Sequence, residues 1–248
     1  ARAKCAPVRG KLVLVTLTFE EARACVLRQV GVSMAIETVP LAEASGRVLA
    51  ETIHADRDYP PFPRSARDGF AVRSADLSGD LVGSLRVIGE VRAGGAFAGP
   101  VGRGEAVEIM TGAPLPDGAD AVVMVEHTER SGELVRIARA PKAGDNFNAR
   151  GTEAGSGDDV LRPGVRIGYA EVALLATVGQ IRVQVYRRPR VAIIPTGDEI
   201  VEPAETPSAH QIRNSNAASL AVQVSRAGGL PEIVAASQMA QPSAMTVS

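Results

Sequence analysis

The sequence predicts an α/β protein of several domains, and three observations support this prediction. A capping box and helix-period apolar residues stand near the N-terminus, short β-prone runs separated by glycines fill the middle, and a strand–loop–helix–strand pattern follows. The 248 residues are 45% hydrophobic, which is enough for two or three domains. Because there are no Trp, three Tyr and five Phe, the cores must be built mainly from aliphatic side chains.

The N-terminal part predicts short helices and carries no catalytic constellation. Thr18–Glu21 fits a capping box, and apolar residues then recur at helical spacing up to Val30, before Gly31 ends the helix. A second helical segment lies around Leu41–Ser45. We therefore interpret Thr18–Ile53 as a scaffold or an oligomer surface.

A proline-rich linker separates this part from a β-rich region. Asp58–Pro63 holds three prolines in four positions, which predicts a stiff, extended segment. Short β-prone runs separated by glycines then predict a small antiparallel β domain, in which the glycines between 94 and 104 mark hairpin loops. The four runs are Phe70–Arg73, Leu85–Val91, Ala106–Met110 and Ala121–Val125.

The loop between the last two runs is the most informative local feature. Thr111–Asp120 contains two prolines and two glycines, so we expect it to be rigid. A stiff polar loop that offers a free Thr111 hydroxyl and backbone N–H groups suits an oxyanion. The alternative, a long hairpin loop without function, is about equally compatible with the residues alone.

The last third of the chain predicts a helix from Tyr169 to Val178, a strand over Ile181–Val185 and then a βαβ unit. Val191–Ile194 is apolar throughout, as expected of a buried parallel strand. A helix capped by Asn214–Asn216 and a second strand at Ile233–Val234 complete the opening of a doubly wound fold. Such folds bind ligands outside the carboxyl ends of their strands.

Composition excludes several classes of function. The formal net charge of −1 gives no general attraction to nucleic acid or to an anionic membrane surface. No apolar run approaches the length of about 20 residues that spans a bilayer. Cys5 and Cys25 form no CxxC pair, which favours reduced thiols in a cytoplasmic protein.

Three carboxylates are candidates for metal binding. Asp68 follows the rigid linker, and Asp198 and Glu199 follow the apolar run at Val191–Ile194. Oxygen ligands from separate loops are what a hard cation such as Mg²⁺ requires. The alternatives are an Asp-Gly turn for Asp68 and charges at a helix N-terminus for the other two. The three histidines are isolated in sequence, so no zinc site is expected; they are His54, His127 and His210.

Four stretches, in this order along the chain, resemble the molybdopterin molybdenumtransferase family, which includes MoeA and the corresponding domain of gephyrin. They are Ser65–Val72, Met110–Glu126, Pro195–Ile200 and Gln211–Asn216. The resemblance covers residues 18–229 and implies an elongated α/β scaffold with an inserted antiparallel β domain, followed by part of a doubly wound domain like that of MogA. The implied domains are 18–55 with 148–186 for the scaffold, 56–147 for the insertion and 187–248 for the third.

The resemblance also implies an activity. Enzymes of this family insert molybdate into molybdopterin, which arrives adenylylated from a molybdopterin-adenylylating protein, and Mg²⁺ assists. It assigns catalytic roles to Asp68, Thr111 and Glu199, with Asp68, Asp198 and Glu199 as metal ligands. It further implies a set of residues that bind the substrates, namely Ser65, Gly112, Arg150, Glu153, Thr196, Asp198, Ser215 and Asn216.

This chain departs from the family's pattern at several positions. Arg64 and Arg67 stand where the family has Asn and Met, and Glu153 is the counterpart of an acidic position that is usually Asp. Two extra cations beside Asp68 either favour its ionised form or enlarge an anion site. The family's Ser-Gly-Gly loop, Lys-Pro-Gly-Lys-Pro segment and fourth domain have no counterpart, and Gln238–Ser248 resembles none of them.

These features leave three interpretations open. The first is a homodimeric molybdenumtransferase whose site is shared between the two chains, because Asp68 and Glu199 lie in different predicted domains. The second is a non-catalytic scaffold that binds partners, as gephyrin does. The third is a fragment that is nearly inactive on its own, because one βαβ unit supplies only one wall of a ligand crevice.

Overall fold

The computed structural model describes residues 17–29, 35–77 and 83–234. The chain divides into two compact units, one of Thr38–Val185 and one of Tyr186–Ser248 together with Ala1–Glu37. The division into the three predicted domains stays a prediction.

In chain order the described strands are β1 Ile36–Pro40, β2 Ile53–His54, β3 Arg64–Ser65, β4 Gly69–Val72, β5 Ser84–Val91, β6 Glu105–Ile109, β7 Ala121–Met124, β8 Thr128–Ser131, β9 Leu134–Ile137, β10 Phe147–Asn148, β11 Asp159–Leu161, β12 Arg182–Tyr186, β13 Arg190–Ile193, β14 Ile200–Val201, β15 Ile212–Arg213 and β16 Leu230–Ile233. The described helices are α1 Phe19–Gln29, α2 Tyr169–Thr177 and α3 Ser215–Ala227, with short 3-10 turns at Leu41–Glu43, Ser74–Leu77 and Val125–His127.

A six-stranded sheet with the order β7-β4-β6-β5-β9-β8 forms the centre of unit 38–185. The four predicted β runs all lie in it. The prediction of a purely antiparallel sheet is wrong for one pair, because β5 and β6 run parallel. A parallel pair needs a crossover connection. The glycine-rich segment 92–104 is therefore a crossover, and the prediction of hairpin loops there is also wrong.

Strand β4 lies between the two runs that flank the rigid loop. β6 pairs with one edge of β4 and β7 with the other, both antiparallel. The loop 111–120 consequently passes across the end of β4, and the hairpin interpretation of this loop is wrong. Gly69 opens β4 at a place with no room for a side chain: a Cβ there would stand 1.9 Å from the carbonyl oxygen of Val123. This close approach, and not a turn, is the reason for glycine after Asp68.

The sheet is covered on both faces by aliphatic side chains, as the composition predicts. Alternate residues of β4 point to opposite faces. Phe70 and Val72 pack with Leu85, Val135 and other residues in one cluster. The second cluster contains Ala71, Val91, Val101, Val107, Ile109, Ala113 and Val122.

A separate core in the same unit joins two segments that are distant in sequence. Its buried residues come from 39–53 and from 167–185, with Leu49, Leu175 and Val185 completely buried. Strands β2 and β11 pair antiparallel beside it. The polypeptide thus leaves this core after β2, builds the six-stranded sheet and returns to the core at β11. The predicted helix at 169–178 and the predicted strand at 181–185 are confirmed within one residue as α2 and β12.

Helix α1 begins with the predicted capping box. The Thr18 amide donates to Glu21 Oε2 at 2.9 Å, and the Glu21 amide donates to Thr18 Oγ1 at 3.2 Å. Its predicted end at Val30–Gly31 lies outside the described residues. Two large apolar side chains of α1 are mostly exposed in the single chain, Phe19 at 77% and Val26 at 62%.

The second unit contains the predicted strand–helix–strand pattern. β13 pairs parallel with β16, and α3 lies between them in sequence. Asn214 caps α3 by accepting a hydrogen bond from the Ala217 amide, and Gly228 ends the helix in the left-handed conformation, with φ 97°. The prediction that β13 is a buried strand is wrong for the described residues, since only Ile193 is buried. A two-stranded sheet has too few neighbours to cover both faces.

Over the ranges that the structure describes, no helix is long and apolar enough to span a membrane.

Candidate functional site

Three segments of unit 38–185 meet around Arg64 and Ser65. β3 pairs with β10 so that Arg64 lies opposite Asn148, and Arg64 also forms a backbone bridge with Pro114 of the rigid loop. The Ser65 amide donates to the carbonyl of Ala113 at 2.9 Å. Pairing of main-chain groups therefore fixes the end of the proline-rich linker, the rigid loop and strand β10 relative to one another.

Asp68 and Thr111 are joined by two short hydrogen bonds. The Thr111 amide and hydroxyl both donate to Asp68 Oδ1, each at 2.6 Å. These two hydrogen bonds lower the pKa of Asp68, the hydroxyl contributing most, because they favour the charged carboxylate. The prediction that the Thr111 hydroxyl is free is wrong. Asp68 Oδ2, by contrast, accepts no hydrogen bond from any described residue.

Removal of the Thr111 hydroxyl should raise the pKa of Asp68. In Thr111→Val only the backbone N–H still donates to the carboxylate, so its pKa should move back toward the ordinary aspartate value. A folded-state pKa that is lowered contributes stability above the unfolded value, and this contribution is lost as pH falls through the folded value. The variant should therefore lose less stability than the wild type when the solution is acidified.

The measurement is the carboxyl ¹³C shift of Asp68 in a pH titration, with unfolding midpoints at neutral and acidic pH. Thr128→Val is the matched control, because that hydroxyl donates to the carbonyl of Val125 and touches no carboxylate. An Asp68 titration curve identical in wild type and Thr111→Val would contradict the assignment.

Ser65 and Gly112 hold the loops together by hydrogen bonds. Ser65 is only 2% exposed, and its hydroxyl donates to the Arg67 carbonyl at 2.5 Å. The Gly112 amide donates to the Ser65 carbonyl at 2.8 Å, with Gly112 at φ 83°. The amides of Ala113 and Leu115 are likewise bonded to carbonyl oxygens. The loop therefore does not offer these amides as an oxyanion cradle.

Two arginines of the site are held by carboxylates. Arg150 Nε donates to Asp58 Oδ2 at 2.6 Å, and Asp58 Oδ1 accepts the Ser156 amide at 2.9 Å. These contacts lower the pKa of Asp58, the Ser156 amide contributing most. Arg64 Nη2 lies 2.7 Å from Glu153 Oε1, so two of the positions that depart from the family pattern contact each other. Arg150 stays 66% exposed in spite of its partner.

The remaining predicted site residues lie in the second unit. Thr196, Asp198 and Glu199 occupy the exposed loop between β13 and β14, while Ser215 and Asn216 form the exposed first turn of α3. The two segments are adjacent, since the Ile212 amide donates to the Glu199 carbonyl at 2.8 Å. The Glu199 carboxylate folds over Gly197, where an added Cβ would stand 2.6 Å from Oε2.

The predicted metal ligands are not assembled in the described part of this single chain. Within 17–29, 35–77 and 83–234, no group of three or more His, Cys, Asp or Glu side chains is placed to hold a metal ion. Asp68 belongs to one compact unit, and Asp198 and Glu199 belong to the other. Their carboxylates are hard oxygen donors of the kind that Mg²⁺ prefers, so their chemistry suits the expected ion. The described part of one chain does not bring enough of them together to hold it.

Asp58 is a functional candidate that sequence reasoning missed. It opens the proline-rich linker and holds Arg150, which lies 92 residues further along the chain. No spacing rule connects two positions so distant. An acidic residue directly before a rigid linker, with an Arg-Gly pair elsewhere, was the only available signal.

Comparison with known proteins gives a consistent result. The model of the MoeA N-terminal region, domains I and II, matches residues 17–179. Curated relatives include molybdopterin molybdenumtransferases of Staphylococcus epidermidis, 41% identical over 181 residues and 72% of this chain, and of Bacillus subtilis, 40% identical over 202 residues and 79% of this chain. The match covers 43% and 47% of those two proteins, so the chain spans less than half of their length.

Solved structures agree with this result. Two crystal structures of a molybdopterin biosynthesis MoeA protein from Pyrococcus horikoshii are 36% identical to this chain, with TM-scores of 0.71 and 0.75. They cover 86% and 81% of this chain, and the match covers 55% and 54% of theirs.

Proposed function

The chain belongs to the MoeA family, and from this premise we propose that it acts in molybdenum cofactor biosynthesis, in the insertion of molybdate into adenylylated molybdopterin. The observation that carries the proposal is the Asp68–Thr111 contact. Two hydrogen bonds fix one carboxylate oxygen and leave the other without a described partner. This arrangement suits a carboxylate that must be charged and directed toward a ligand.

The roles follow from the donor chemistry. Bound Mg²⁺ would neutralise phosphate charge, and Asp68, Asp198 and Glu199 are the residues that would hold it. Asp68 is kept ionised by Thr111, so it is suited to bind a cation. The exposed Nη groups of Arg150 suit an oxyanion, since Asp58 occupies only its Nε. Thr196, Ser215 and Asn216 are proposed to donate hydrogen bonds to the substrates.

A homodimer with a shared site is part of the proposal. Asp68 and Glu199 belong to different compact units of one chain, and a two-fold axis can bring such residues together from two chains. The exposed apolar side chains of α1, such as Phe19 and Val26, support a further contact surface in this region. We assign 18–55 and 148–186 to the scaffold, 56–147 to the insertion and 187–248 to a MogA-like doubly wound domain.

The second candidate function is substrate binding without turnover, and one observation favours it. In the described residues the sheet of β13 and β16 has two strands, so the ligand crevice expected beyond their carboxyl ends has one wall. We propose that the 248 residues alone bind substrate but are nearly inactive. The gephyrin-like scaffold has no such observation in its favour.

We further propose a cytoplasmic location and cooperation with the molybdopterin-adenylylating protein of the pathway.

A hybrid enzyme tests the function of these residues directly. Residues 17–234 would replace the matching stretch of the Bacillus subtilis relative, and molybdate-dependent cofactor formation from adenylylated molybdopterin would be measured beside the 248-residue chain. We expect turnover by the hybrid, with binding and little turnover by the chain alone. A folded hybrid that binds adenylylated molybdopterin and produces no cofactor would contradict the enzymatic proposal. A folded hybrid that binds neither substrate would favour a scaffold.

A further inference from the structure

Arg64, Arg67 and Arg150 do not play the same structural role. Arg64 is engaged by Glu153 and Arg150 by Asp58. Arg67 makes no side-chain hydrogen bond or ion pair with any residue in the described ranges, and it is exposed. Of the two cations that replace uncharged residues of the family pattern, one is therefore neutralised inside the protein and the other is available.

The main chain at Arg67 is fixed although its side chain is not. The buried Ser65 hydroxyl accepts the Arg67 amide at 3.3 Å and donates to the Arg67 carbonyl at 2.5 Å. The Ala66 amide donates to the carbonyl of Asn146 at 2.9 Å. A long side chain on a fixed backbone loses less conformational freedom on binding than one on a mobile loop.

The charge of Arg67 is not used to keep Asp68 ionised. Oδ1 of Asp68 is bonded to the hydroxyl and the amide of Thr111, and no hydrogen bond or ion pair joins the Asp68 carboxylate to Arg67. The extra cations have two possible explanations, stabilisation of the Asp68 carboxylate or a larger anion site. The geometry at Arg67 favours the larger anion site. The amides at the start of the rigid loop, those of Thr111, Gly112 and Ala113, are also occupied, so a side chain must supply the donors there.

We infer that Arg67 binds a tetrahedral oxyanion beside Asp68, adding a contact that the uncharged residue of the family pattern does not make. The guanidinium presents a planar fork of N–H donors that matches phosphate and related oxyanions bidentately. The source of the oxyanion, the phosphate of the activated pterin or molybdate itself, rests on the proposed function. Asp68 Oδ2 next to it would face the cation that accompanies such a group.

Binding of two probes to the 248-residue chain tests the inference. Inorganic pyrophosphate and molybdate would be titrated separately by calorimetry at about 0.1 M salt, where charges beyond a Debye length of about 10 Å are screened. For the probe that occupies the site, Arg67→Met should raise Kd about tenfold, equivalent to about 1.4 kcal/mol. Arg67→Lys should lose less, because it keeps the charge without the fork.

Arg103→Met is the matched control, since Arg103 is also exposed and has no side-chain partner among the described residues. It should leave both dissociation constants unchanged. No measurable binding by the wild type, unchanged binding by Arg67→Met, or an equal loss in the control would each overturn the inference.

The same variant in the hybrid enzyme separates this inference from the proposed function. Arg67→Met should raise KM with little change in kcat, since a binding contact is lost. Turnover that is unaffected by Arg67→Met would remove the inference and leave the function standing. If the hybrid is inactive while the 248-residue chain binds the oxyanion through Arg67, the proposed function is contradicted and the inference about Arg67 stands.

Discussion

Gly69→Ala is expected to prevent stable folding of the six-stranded sheet. An added Cβ would stand 1.9 Å from the Val123 carbonyl oxygen, and the adjacent contacts are also backbone atoms that cannot rotate away. β4 would have to separate from β7 on one side while it stays paired with β6 on the other. We expect a loss of at least about 3 kcal/mol, at the upper end for overpacking.

Urea unfolding followed by circular dichroism measures this effect. Gly104→Ala is the control, because Gly104 has φ 73° and its Cβ would meet nothing within 4 Å. It should cost only about 1 kcal/mol, from backbone conformation alone. Equal unfolding midpoints for the two variants would show that β4 can shift to accommodate a methyl group, against the interpretation given above.

The second large effect is expected from the two acidic positions. In the hybrid enzyme, Asp68→Asn and Glu199→Gln should each reduce cofactor formation at least about 100-fold, as expected when a preorganised charge is lost from a site. Glu202→Gln is a suitable control, since Glu202 is exposed just beyond β14. It should retain normal activity.

Mixing the two inactive hybrids tests whether the site is shared between chains. After complete subunit exchange at equal amounts, half of the dimers contain one of each variant, and each of these keeps one intact site. About a quarter of the wild-type activity should therefore return. Activity that stays at the level of the single variants, despite exchange demonstrated by mass spectrometry, would place Asp68 and Glu199 in a site within one chain.

Local sequence rules predicted the elements well and their pairing poorly. The capping box at Thr18 and the cap at Asn214 depend on neighbouring residues, and both are confirmed. The parallel pair β5–β6 and the position of β4 between β6 and β7 depend on residues far apart in sequence. The period-2 pattern of a strand does not reveal which strand lies beside it.

The site shows the same division. The residue types in the motifs around Asp68 and Thr111 were sufficient to single out both residues, but not to show that each occupies the other's hydrogen-bonding groups. The Arg64–Glu153 and Arg150–Asp58 pairs join positions 89 and 92 residues apart, which no motif covers. Which cation near Asp68 is available to a ligand follows only from these long-range pairs.

The short pairing of β3 with β10 has a consequence for the origin of the fold. Arg64 and Phe147–Asn148 lie side by side, so the chain enters and leaves the six-stranded sheet at one point. A module whose two ends meet can be gained, lost or exchanged as a single cassette, and none of the buried residues of the core of 39–53 and 167–185 comes from this one. We therefore expect the β module and the core that carries it to be separable units of inheritance, with Arg64 and Asn148 as the positions at which laboratory recombination would cut.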